Sequence, residues 1–167
     1  MVLTKAELIS SLQHEVRIVL HLATKIDRAK GDYRPTPKQR STLELLRYLS
    51  MGGPEIIKAA KVGNFDPAVW TVAAKAAEAR DFDQAIAAIA AQTAEYASLL
   101  ADVSDADLRA EIEMFGQKTT RGSFLVNHVL CGCAAYRMQL FQYLKACGRE
   151  ELSTMNLWAG VDPPAAK

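Results

Sequence analysis

The sequence predicts an all-α protein, a four-helix bundle with a long crossover between its second and third helices. Three observations carry that prediction. Apolar residues recur at three- and four-residue steps in four separate stretches, the spacing that gives a helix one buried stripe. Capping arrangements stand at the head of three of them: Thr4 with Glu7, Ser41 with Glu44, and Asp81 with Gln84. Between the second and third stretches, residues 63–80 carry a weak pattern but enough chain to run the height of a bundle. The third helix then starts at the same end as the second, not in up-and-down order.

Helix one opens at Thr4, and Leu8, Leu12, Val16, Val19, Ala23 and Ile26 form its stripe. Gly31 and the prolines at 35 and 37 are expected to end it. Helix two opens at Ser41 and buries Leu45, Leu46, Leu49, Ile56, Ile57 and Ala60. Gly52-Gly53-Pro54 should kink it, or else stop it at Ser50 with a second short helix beyond. In the crossover, the alanine-rich residues 73–79 have room for a helical turn or two. Helix three opens at Asp81, with Ile86, Ile89, Thr93, Tyr96 and Leu100 facing inward. Residues 104–121 read as irregular, with an extended arm over 111–120, and Ser123 is the expected N-cap of helix four. That helix runs to Gly148. Residues 1–152 are thus expected to form the bundle and 153–167 a tail that packs on it or is partly disordered.

At 167 residues the chain has the size of one domain. A formal net charge of +1, with scattered Lys and Arg, gives no electrostatic reason to expect a nucleic-acid partner. No stretch is long and apolar enough to suggest a bilayer span, so no membrane partner is expected. Three cysteines, Cys131, Cys133 and Cys147, are too few for a disulfide framework, and a cytoplasmic setting is expected. Cys131 and Cys133 lie about 200° apart on a regular helix and cannot clasp one metal.

At about 100° per residue, Gly132, Tyr136, Gln139 and Tyr143 share one face of helix four, with His128 at its edge. Glu15 lies at the inner edge of helix one, where it either bonds Tyr48, Tyr136 or His128 or turns outward. His14 and His21 fall opposite the stripe and should face solvent or a partner chain. His128 and Cys131 form a one-turn pair that could lower a thiol pKa. No Ser-His-Asp order, phosphate loop or Cys-x-x-Cys pair suggests another chemistry.

Three fragments stand in a telling order: Asp32-Tyr33-Arg34-Pro35-Thr36-Pro37, Leu45-Leu46-Arg47-Tyr48-Leu49 and Arg137-Met138-Gln139-Leu140. Over most of residues 4–148 the chain resembles the DinB/YfiT-like family of four-helix-bundle metalloenzymes. That family carries a His-x-x-x-His pair just before Arg-x-Gln-Leu and a third His in its Leu-Leu-Arg-His-Leu run. The corresponding positions here are Gly132, Tyr136 and Tyr48. The resemblance implies thiol-dependent transfer or isomerisation at a bound metal in some members. It does not imply DNA binding.

Glycine offers no ligand atom and a neutral phenol is a poor one, so neither metal nor cofactor is expected. The rings either fill the vacated space or leave a small pocket with two hydroxyls, bordered by Glu15, Tyr48, His128, Gly132, Tyr136, Gln139 and Tyr143. The reading is a metal-free DinB-like protein that binds a small ligand or serves in stress physiology. The alternative is a thiol-dependent transferase or isomerase using His128, Glu15 and the tyrosines. A purely structural role would leave the bundle centre filled. Helix four is apolar nearly all round through Val126, Leu130, Phe141 and Leu144, so it needs cover from Leu157-Trp158 or from a second copy. A homodimer is the expected partner arrangement.

Overall fold

The computed structural model describes residues 3–164. Helix α1 (Lys5–Ala23) is followed by a 3₁₀ turn (Arg28–Lys30), then by α2 (Thr42–Val62), α3 (Pro67–Glu78), α4 (Phe82–Leu99) and the short α5 (Asp105–Arg109). An antiparallel hairpin of β1 (Glu111–Met114) and β2 (Gln117–Thr120) leads into the last long helix. That helix comprises α6 (Arg121–Leu125), a π-helical turn (Val126–Leu130) and α7 (Cys131–Ala146).

Four long helices make the bundle. α1 and α2 each pack against both α4 and α7, while α3 lies outside, against α2. End contacts fix the directions. Lys61 at the end of α2 donates to the Leu99 carbonyl at the end of α4, and Arg47 near the start of α2 donates to the Arg80 carbonyl just before α4. α2 and α4 are therefore parallel, as the long crossover required, and α3 carries the chain back between them. All three capping boxes form, at Thr4, Ser41 and Asp81.

The crossover is more ordered than its pattern suggested. Asp66 caps the Ala68 amide, Pro67 occupies the first helical position, and an alanine-rich run continues for twelve residues. α2 passes through Gly52-Gly53-Pro54 without a break. Pro54 cannot donate to the Ser50 carbonyl, and Arg80 Nη1 donates to that oxygen instead at 3.2 Å. A long-range guanidinium thus satisfies the acceptor that a local proline orphans.

Other expectations are corrected. α1 ends at Ala23, not near Gly31, and Ile26 lies beyond it, half-buried. α4 turns Ala85, Ile89, Gln92 and Tyr96 inward, leaving Thr93 exposed and Ile86 half-buried. Gln92 is tolerated inside because its amide donates to the Leu49 carbonyl at 2.8 Å and its oxygen accepts from the Tyr96 hydroxyl at 3.0 Å. The last helix starts three residues early, with Thr120 capping the Ser123 amide. The extended arm is the hairpin, turned through Phe115 and Gly116, both at positive φ. Phe115 holds that rare conformation while its ring meets Phe65, Phe124 and His128.

The tail packs along α1. Leu157 is buried in the core, and Trp158 stacks on the Arg137 guanidinium at 4.8 Å. Arg17 donates to the Ala159 carbonyl, and Lys25 pairs with Asp162 at 2.6 Å. His21, expected to face solvent or a partner, is half-buried under this segment against Asn156. Phe141 and Leu144 on the last helix are buried within the chain itself. The end of the tail at 165–167 lies outside the described residues.

Candidate functional site

α2 and the last helix bring Tyr48, His128, Gly132 and Tyr136 to the wall of one small cavity, which Gly52, Gly53 and Cys133 also line. The Tyr48 and Tyr136 rings meet edge to face, 4.9 Å between centroids. The space left is about 20 Å³, little more than the roughly 10–15 Å³ that one water requires. Of the two arrangements open to the sequence, the rings take up most of the space.

Of the expected site residues, Glu15, Gln139 and Tyr143 lie apart from this cavity. His128 borders it but is exposed, its ring stacked on Phe124 at 4.3 Å and near Phe115 of the hairpin. The π turn explains the displacement, because a wider turn breaks the 100° step on which the helical face was drawn. Tyr143 packs edge to face on Tyr33 and donates to the Arg40 carbonyl at 2.9 Å, while Gln139 donates to its hydroxyl. Both are engaged at the end of the bundle. Glu15 is buried and pairs with Arg137 at 3.0 Å.

That pair is incompletely satisfied. Glu15 Oε2 and Arg137 Nε are buried without a hydrogen-bond partner. Burial raises the Glu15 pKa above the ordinary carboxylate value, and the Arg137 charge opposes the shift without cancelling it. Burial also pushes the Cys133 thiol up to about 12, with Glu15 adding to the shift. A thiol so shifted is not a nucleophile near neutral pH.

The side-chain chemistry at positions 48, 132 and 136, which the sequence resemblance sets against metal ligands, does not fit a metal. Gly132 has no donor. Burial, with Tyr136 beside it, pushes the Tyr48 phenol up to about 12, so it keeps its proton. Among the described residues no group of three His, Cys, Asp or Glu side chains is gathered so as to hold an ion.

The larger opening lies on the other side of Tyr48. A groove of about 360 Å³ between α2 and α3 is lined by Arg40, Arg47, Tyr48, Met51, Trp70 and Glu78, among others. The Arg40 guanidinium sits 4.1 Å from the Tyr48 ring, and Trp70 meets that ring at 6.2 Å. The sequence reading passed over Arg40 and Trp70. Trp70 stood in the weakly patterned crossover, and nothing in the local sequence tied either residue to Tyr48.

Helix order, the parallel α2–α4 arrangement and the external α3 define an all-α protein with a DinB-like fold. The likeness is to the crystal structure of YjoA, a DinB-like protein from Bacillus subtilis, at a TM-score of 0.66 and 20% identity. It covers 87% of this chain and 94% of that one. The sequence matches no protein-family model and no curated protein. Among the described residues no helix is long and apolar enough to cross a membrane.

Proposed function

We propose that this protein is a metal-free, small-molecule-binding member of the DinB-like fold. The observation that carries the reading is the contrast across Tyr48. The Tyr48–Tyr136 contact leaves about 20 Å³ at the bundle centre, whereas the groove on the far side offers about 360 Å³. The latter lies within the roughly 300–1,000 Å³ of small-molecule sites. The three cysteines are unpaired, which supports a reducing, cytoplasmic setting. A homodimer belongs to the same reading, with exposed Val62, Val69 and Phe115 as apolar surface for a second copy.

Two measurements test it. Elemental analysis before and after incubation with zinc, nickel and manganese should find far less than one equivalent of metal. Stoichiometric metal that is lost in His128→Ala would overturn the metal-free reading. A thermal-shift screen of chemically diverse small molecules should find stabilising compounds, and a screen without one would overturn ligand binding. Sedimentation velocity reads the oligomeric state.

A further inference from the structure

The groove beside Tyr48 has a polarity that narrows what can occupy it. Its inner wall is aromatic and apolar, made by Tyr48, Trp70 and Met51. Two guanidinium groups stand over that wall. The Arg40 guanidinium stacks on Tyr48 and makes no hydrogen bond or ion pair to a side chain or backbone group of the described residues. Arg47 uses its Nε on the Arg80 carbonyl at 2.6 Å, and neither of its terminal nitrogens has a hydrogen-bond partner among the described residues.

The groove's carboxylates do not offset these charges equally. Glu44 is engaged twice, accepting from the Ser41 amide at 2.7 Å and pairing with Arg34 at 3.3 Å. Glu78 is exposed at the rim, where water screens it. What remains is an aromatic slot with unneutralised guanidinium donors at its mouth. Such donors pair in bidentate fashion with carboxylates, and flat rings stack on Tyr and Trp faces.

We propose that this groove binds a small planar aromatic carboxylate, its ring lying against the wall that Trp70 and Tyr48 form together and its carboxylate on Arg40. The proposal rests on the small-molecule reading above and adds the site and the ligand class. Arg40 is exposed, so replacing it leaves the core intact.

The test is calorimetric titration of the full chain with 2-naphthoate, and with 2-naphthylmethanol and 2-naphthylmethylamine as neutral and cationic counterparts. Wild-type protein should bind 2-naphthoate, and the alcohol should bind about tenfold more weakly or less. Arg40→Gln should weaken naphthoate by a similar factor while leaving the alcohol unchanged, and Trp70→Ala should weaken both. Thermal melts of each variant verify folding. Naphthoate binding unaffected by Arg40→Gln or Trp70→Ala would overturn the proposed site, and tighter binding of the amine would overturn the charge assignment. If 2-naphthoate fails while the diverse screen yields ligands insensitive to Trp70→Ala, this proposal falls and small-molecule binding stands. If neither gives binding, both fall.

Discussion

Tyr48 of α2 and Tyr136 of α7 close the centre of the bundle with one edge-to-face contact, their ring centroids 4.9 Å apart at 60°. Two groups from distant parts of the chain thus fill most of the space between these two helices. The physical consequence is a wall between a nearly filled centre and an open outer groove.

Imidazoles introduced at positions 48, 132 and 136 should create a metal site. Positions 132 and 136 lie one helical turn apart, and a Cβ built on Gly132 meets no atom within 4 Å, so a side chain can begin there. The triple variant Tyr48→His, Gly132→His, Tyr136→His is expected to bind about one equivalent of zinc or nickel by calorimetry. Failure of a folded triple variant to bind either ion would show that the helices are not spaced for a metal.

Two glycines near the cavity should respond oppositely to alanine. Gly132→Ala enters open space in a helix and should stabilise the fold by about 0.5–1 kcal/mol. At Gly53 the new methyl would collide with the Tyr96 hydroxyl, which is buried and already bonded to Gln92. Gly53→Ala should cost about 1–3 kcal/mol. Urea denaturation of the pair checks both signs.

The Glu15–Arg137 pair is expected to bind its partners together without stabilising the fold as a whole. Glu15→Leu or Arg137→Met alone leaves a buried charge and should cost about 3–5 kcal/mol, whereas the double variant should come within about 1 kcal/mol of wild type or exceed it. The raised Glu15 pKa sets a sign for pH. The folded state holds this proton more tightly than the unfolded chain, so its contribution falls as pH rises past the ordinary value near 4.5. The double variant should lack that slope in denaturation curves taken across the same window.

The tail should loosen on acidification. His21 Nε2 accepts from the Asn156 amide, whose orientation is fixed because Asn156 Oδ1 accepts from the Ser153 amide. Burial depresses the His21 pKa, and the attraction of Asp162 only partly offsets it. The unfolded chain therefore takes up this proton first, and stability is lost as pH falls from the ordinary value near 6.5 through the depressed one. Trp158 fluorescence should change in that window in a Trp70→Phe background and not when His21→Gln is added. An unchanged titration in the glutamine variant would assign the change to other groups.

Local signals determined much of this protein. Capping boxes marked the starts of α1, α2 and α4, because a hydroxyl or carboxylate three residues from its partner needs nothing from the rest of the chain. Apolar spacing marked the buried faces of α1 and α2, and crossover length predicted that α2 and α4 run parallel. The tertiary structure decided what depends on distant partners. Arg80 carries α2 past Pro54, the Leu49 carbonyl brings Gln92 inside, and the π turn moves His128 outward. Helical periodicity put Tyr136 on one face with Gly132, and only the family resemblance singled out Tyr48. Only the packing of α2 against α7 on one side and α3 on the other decided that their rings would fill the centre and leave the open volume beside Arg40 and Trp70. A period describes a single helix, whereas a cavity is the space between several.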